Sequence, residues 1–165
     1  MPFYQLFYHL IWATKNREPL LLPDVESVIL GFLRSKATGL GGVVFALNCV
    51  VDHVHMVVAI PPSIAVARFV GQVKAVASTR FNKLQMGNAF FWQEEYGAFS
   101  FDGKRLPHYI AYVEHQKEHH ARGTTIPILE RTSGEGVVRL KESSGLYLVA
   151  EAAWRAELES LAVED

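Results

Sequence analysis

A chain of 165 residues, half of them hydrophobic, can fold as one ordinary globular domain with a sizeable core and needs no staple. No apolar run reaches the roughly 20 residues of a membrane span, Met1-Pro2-Phe3-Tyr4 lacks the basic start of a signal peptide, and the single cysteine excludes an intrachain disulfide framework. The net charge of −1 divides unevenly: residues 1–122 carry 12 Lys and Arg against 9 Asp and Glu, and residues 123–165 carry 4 against 8. A mildly basic body with an acidic tail lacks the electrostatic footprint of an avid duplex binder, so any affinity for nucleic acid has to come from local patches, base stacking and metal contacts. A cytoplasmic protein is expected.

Residues 3–13 are aromatic and apolar with partial alternation, which predicts a first strand. His9 inside it is read as a satisfied core or cross-strand histidine rather than a ligand. Thr14-Lys15-Asn16-Arg17-Glu18-Pro19 follows as a polar, basic loop able to donate to phosphate oxygens, or simply a solvated turn. Asp24 caps a predicted helix with Val25, Val28, Ile29, Phe32 and Leu33 as its apolar stripe and Gly39 as its stop. Gly41-Gly42 turns the chain into a second strand over Val43 to Val50, and a turn or bulge of unsettled position lies within Asn48 to Asp52.

Asn48-Cys49-Val50-Val51-Asp52-His53-Val54-His55-Met56-Val57-Val58-Ala59-Ile60 reads as a buried strand closed by Pro61-Pro62. Alternation puts His53 and His55 on one face with Cα atoms roughly 6–7 Å apart. They are either two ligands converging on one point or a chance pair of core histidines. By the same alternation Asp52 is expected on the opposite face in a structural role. From Ser63 to Phe81 a long amphipathic helix is predicted, with Arg68, Gln72, Lys74, Ser78, Arg80 and Lys83 on its polar side. Phe90 to Phe101 is a fourth, aromatic strand or strand pair broken near Gly97. Its Trp92, Tyr96 and Phe99 are either core or stacking platforms for unpaired bases.

The segment from Leu106 to His120 is read as one helix, with Pro107 in its first turn. Tyr112 and Gln116 stand one turn apart on a shared face. Docked on the histidine strand, that face completes a His53, His55, Gln116 site with Tyr112 as a nucleophile beside it, an arrangement suited to cleaving phosphodiesters. Tyr109 is the rival nucleophile. His115, His119 and His120 raise a zinc alternative that no accompanying cysteine or acidic cluster supports, so they are read as exposed, with one of them available as a proton shuttle. Residues 123–165 form an acidic tail of loops around a short apolar piece, ending in a helix from Leu146 to Val163, packed on the domain or placed at a dimer interface.

Four motifs in order, Trp12-Ala13-Thr14-Lys15-Asn16-Arg17, Asp52-His53-Val54-His55, Val70-Gly71-Gln72-Val73-Lys74 and Tyr112-Val113-Glu114-His115-Gln116, with Phe91-Trp92-Gln93-Glu94-Glu95-Tyr96 between the last two, give the chain its resemblance. Over residues 3 to 120 it resembles the single-tyrosine HUH transposases of the insertion-sequence-200-like kind, which include the REP-associated tyrosine transposases. The predicted element order allows several α+β sandwiches. The resemblance selects a ferredoxin-like split βαβ fold: an antiparallel sheet of four to five strands, helices on one face and an added tyrosine-bearing helix. It implies a divalent ion, Mg2+ or Mn2+, on His53, His55 and Gln116, and attack by Tyr112 to give a 5′-phosphotyrosine link and a free 3′-OH. It further implies single-stranded DNA with a hairpin as substrate, contacted by Lys15, Asn16, Arg17, Arg68, Lys74, Arg80 and Lys83, a homodimer, and no nucleotide cofactor. The alternative is a binding module on the same fold in which these residues are remnants.

Overall fold

The computed structural model describes residues 3–134 with side chains and the backbone of residues 137–142 and 145–150. The elements run β1 (Phe7–Ala13), α1 (Pro23–Gly39), β2 (Val43–Cys49), β3 (His53–Ala59), α2 (Val66–Lys83), β4 (Gly97–Phe101), α3 (Leu106–Glu114), α4 (Gln116–Arg122), β5 (Val137–Glu142) and β6 (Gly145–Ala150). The first four strands make one antiparallel sheet in the order β2-β3-β1-β4. Two strand-helix-strand units thus interleave, each leaving a gap that a strand of the other fills. This is the split βαβ arrangement expected.

Alternation along the strands decides what each face meets. Tyr8, Leu10 and Trp12 of β1 and Val54, Met56 and Val58 of β3 pack with Leu33, Phe69, Val73 and Phe81 of α1 and α2 in the main core. The opposite face is covered by α3: Ala46, Val57 and Val113 are buried there with Phe45, Phe101, Tyr109 and Ile110 around them. His9, His53 and His55 are buried, 3% exposed or less, and by register they belong to this second face. Cys49 is a buried free cysteine, its thiol pushed up to about 12 chiefly by burial.

Local chemistry shifts several boundaries. α1 starts with Pro23 at its first position, so Asp24 lies inside the first turn rather than capping it. The β2-β3 register slips between Val44 and Ala46, and the hairpin closes where Val50 N–H donates to His53 O (3.1 Å). Trp92 makes an isolated bridge to Thr14 well before β4 begins, so the aromatic stretch is broken where Gly97 suggested.

The chain divides into two compact units, Met1–Thr132 and Ser133–Asp165. The second contains the antiparallel hairpin β5-β6. Leu146 to Ala150, read above as the start of a helix, is therefore strand, while residues 151–163 of that expected helix lie outside the described residues. Among the described residues no helix is long and apolar enough to cross a membrane.

Candidate active site

The histidine pair sits at the start of β3, each ring held from behind. His53 Nδ1 lies 2.6 Å from Asp52 Oδ1, and His55 Nδ1 lies 2.9 Å from His9 Nε2. Asp52 was expected on the opposite face, but it belongs to the turn before β3, where strand alternation does not apply. His9 is the cross-strand histidine expected, and it also orients His55. A partner on Nδ1 fixes the ring and leaves Nε2 as the ligating atom, the usual support of a metal-binding imidazole. Burial lowers the His55 imidazole to about 4, so its ring is neutral over the physiological range. His9 is lowered as well, by burial and by the neighbouring His55.

Tyr112 and Gln116 reach the site on two helices rather than one. The last carbonyls of a helix need donors, and here side chains supply them. Asn48 Nδ2 donates to Val113 O and Glu114 O (both 3.0 Å), His115 Nδ1 lies 2.8 Å from Ala111 O, and Gln116 Nε2 donates to Tyr112 O (3.1 Å). The chain breaks at His115 (φ −100°, ψ 21°) and restarts as α4. Gln116 is wholly buried, and its Oε1 has no hydrogen-bond partner. A buried, unpartnered amide oxygen is a donor atom free for a cation.

The Tyr112 hydroxyl accepts from Ile126 N–H (2.9 Å) and donates to Glu130 Oε1 (2.5 Å). Burial first, then the hydrogen bond to Glu130, push the phenol well above its ordinary value. Tyr109 instead stacks on Phe101, ring centroids 3.9 Å apart and nearly parallel.

One residue of this site, Glu130, went unread in the sequence. Glu130 Oε2 lies 3.0 Å from His53 Nε2, 3.3 Å from His55 Nε2 and 3.3 Å from His120 Nε2. Ligand atoms of His53, His55, His120 and Glu130 all fall within 4.8 Å of one another. Burial alone would raise the Glu130 carboxyl, but its contacts with His53, His55 and Tyr112 outweigh this and hold it well below the usual carboxylate range. His120 is exposed, as expected, yet its ring packs against that of His53 (centroids 4.9 Å), while His119 stacks on Tyr112. Glu130 carries no spacing signal; its one mark is an acidic side chain ending the apolar run Ile126-Pro127-Ile128-Leu129. Imidazoles and a carboxylate together are donors that could hold a divalent metal ion.

The residues expected to touch DNA separate. Arg17 comes to the site, with Nη1 3.3 Å from His53 Nδ1 and 3.5 Å from Asp52 Oδ2, and Nη2 3.1 Å from Thr132 Oγ1. Lys15 and Asn16 are exposed beside it, Lys15 Nζ standing 5.8 Å from the centre of the Phe91 ring. Lys74 is not on an exposed face: it is 7% exposed and donates to the carbonyls of Gln93, Glu94 and Glu95 at 2.6 to 3.1 Å. Arg68, Arg80 and Lys83 are exposed, but α2 lies across the sheet from the histidines. Trp92 and Tyr96 pack on the main core and Phe99 lies against His9, so none of the three is a free stacking platform.

Comparison with known proteins agrees with this geometry. The family model for IS200-like transposases matches residues 2–116. The ISDra2 transposase TnpA of Deinococcus radiodurans is 29% identical over 123 residues, covering 70% of this chain and 86% of the relative. The transposase for insertion sequence element IS200 of Salmonella typhimurium is 26% identical, covering 73% and 83%. A crystal structure described as a transposase from Deinococcus radiodurans R1 superposes with a TM-score of 0.56 at 28% identity, over 70% of this chain and 93% of that one. A REP-associated tyrosine transposase solved with a REP hairpin shares the fold, with a TM-score of 0.55 at 13% identity over 91% and 100%. From its four-stranded sheet, its paired histidines and the match over residues 2–116, this chain belongs to the family of IS200-like transposases.

Proposed function

We propose that this transposase nicks and rejoins single-stranded DNA at hairpin-bearing ends, through a covalent link between Tyr112 and the 5′-phosphate. The observation that carries this reading is the convergence, within one chain, of the Tyr112 hydroxyl and the Nε2 atoms of His53 and His55 on a single carboxylate. Tyr112 is the nucleophile rather than Tyr109, because the Tyr109 ring is engaged by Phe101. A divalent ion, Mn2+ or Mg2+, would be held by His53 and His55 with Gln116 Oε1 or Glu130 in reach, and when bound it would withdraw charge from the scissile phosphate. Asp52 and His9 hold the two imidazoles in the ligating tautomer, and Arg17 supplies a guanidinium beside them for a phosphate oxygen. The chain's own phenol stays protonated until it attacks, and the Glu130 carboxylate is the acceptor facing it. Lys15 and Asn16 extend the basic edge along which the strand would run.

The test is a covalent-adduct assay with labelled hairpin single strands and Mn2+ or Mg2+, scored on a denaturing gel. Wild type and Y109F are expected to form the adduct, and Y112F and H53A are expected to form none. DNA binding with no adduct on any hairpin, together with no metal uptake, would instead make the chain a binding module.

A further inference from the structure

We propose that Glu130 completes the ion site of this chain: through Oε2 it is a ligand of the divalent ion and through Oε1 it holds the Tyr112 hydroxyl. The inference rests on the metal-site reading above and extends it to a residue beyond the family-matched residues 2–116.

Spacing gives the first argument. Ligand atoms around an ion at about 2.1 Å stand about 3.0 Å apart in an octahedron and about 3.4 Å apart in a tetrahedron. Oε2 lies 3.0, 3.3 and 3.3 Å from the Nε2 atoms of His53, His55 and His120, so the carboxylate oxygen stands at inter-ligand spacing from each of the three nitrogens.

An unpartnered nitrogen gives the second. His55 Nε2 is buried, makes no hydrogen bond and lies 3.3 Å from Oε2, and His53 Nε2 lies 3.0 Å from the same oxygen. Two imidazole nitrogens whose rings are held from behind by His9 and Asp52 thus face one carboxylate oxygen, an arrangement that a cation among them would share.

The third argument is that Glu130 is built in. Ile128 and Leu129 before it are 5% and 4% exposed, and Thr132 after it is 6% exposed and accepts from Arg17. Ile126 N–H is bonded to the tyrosine oxygen itself. The Arg131 carbonyl rests on Gly97 so closely that a Cβ there would stand 2.1 Å from it. A side chain anchored on both sides in this way is a resident of the site. Bridging the ion and the hydroxyl, one carboxylate would set the distance between electrophile and nucleophile.

The experiment is Mn2+ titration of the full-length protein by calorimetry and by Mn2+ electron paramagnetic resonance, in wild type, H53A, the near-isosteric E130Q and H120A, with thermal unfolding of each. Wild type is expected to take up one Mn2+, H53A none, and E130Q to bind about tenfold to 100-fold more weakly at an unchanged unfolding temperature, a loss at least as large as that for a supporting residue. At Mn2+ concentrations that saturate both proteins, E130Q is expected to form the Tyr112 adduct more slowly. If H53A loses Mn2+ while E130Q binds it as wild type or more tightly, the Glu130 proposal is overturned and the histidine site stands. A full-rate adduct from Mn2+-saturated E130Q would overturn the hold on Tyr112. If wild type takes up no Mn2+, or H53A binds it normally, the metal reading fails and this proposal with it. H120A separates a neighbour from a ligand: a tenfold to 100-fold weakening in H120A together with wild-type binding in E130Q would assign the role to His120 and overturn the assignment to Glu130.

Discussion

Lys74 shows how a residue type can mislead when its surroundings are unknown. On a helical wheel it joins Arg68 and Arg80 as a basic face, yet its ammonium is buried under the chain that leads to β4 and bonded to three consecutive carbonyls. Trp92 Nε1 donates to the Lys74 carbonyl (3.0 Å), so both ends of this residue tie α2 to the same segment. Replacing Lys74 with Met would strand those carbonyls, and K74M is expected to lose about 2 kcal/mol in urea unfolding at pH 7. Burial lowers the ammonium to about 8 from the ordinary 10.5. Between those values the unfolded chain keeps a proton that the folded chain has lost, so wild-type stability rises with pH through that window and falls as pH drops through about 8. K74M lacks this rise, and unfolding curves from pH 7 to 10 are expected to show the gap between the two proteins widening. Arg17 makes the complementary case. It and Asn16 both adopt φ of 55°, a left-handed backbone that Asn accepts readily and Arg does not. The guanidinium that this backbone presents is the one beside His53.

At the scale of elements, the tyrosine helix and the segment behind it are set by side chains rather than by helix periodicity. A helix from Leu106 to His120 is what the pattern alone supports. It breaks where Asn48 on β2 takes the carbonyls of Val113 and Glu114 and the Gln116 side chain takes that of Tyr112, while Ala111 O keeps its backbone bond from His115 N–H. Asn48 is distant in sequence, so no local reading finds it. The segment from Thr124 to Thr132 returns over the site because β4 opens with a glycine. At Gly97 a methyl group would stand 2.1 Å from Arg131 O and 2.7 Å from Ile11 Cγ2, and a backbone carbonyl cannot yield as a flexible side chain can. G97A is therefore expected to cost about 1 to 3 kcal/mol, as overpacking does. It is also expected to weaken Mn2+ binding as Glu130 is displaced. A G97A protein with wild-type Mn2+ affinity would separate the segment from the site.

For the whole molecule, the sheet is a partition. α1 and α2 build the main core on one side, and the histidines, α3 and the return segment build the site on the other. The exposed basic residues of α2 are thus across the sheet from the nucleophile, and Arg17 with Lys15 supplies the local positive charge. One chain brings its own Tyr112 to its own histidines, ring centroids of Tyr112 and His55 being 6.1 Å apart. The resemblance implies a homodimer, and this geometry is that of a tyrosine acting within its own subunit. Mixing Y112F with H53A is expected to give no adduct above that of either alone. Recovery of adduct in the mixture would mean that tyrosines cross between subunits.

The strands and the paired histidines on one strand face were legible from residue pattern, and the sheet, Tyr112 in preference to Tyr109 and the family from the motifs that carry the resemblance. Each of these is either a local period, two along a strand and 3.6 along a helix, or a short motif. Only the folded chain shows that Asp52 and His9 hold the imidazoles, that Lys74 is buried, that the exposed His120 lies against His53 and that Glu130 enters the site. Those assignments depend on contacts such as Asn48 with Val113, Arg131 with Gly97 and Glu130 with His53. Residues far apart in the chain leave no periodic trace of the contacts that folding gives them.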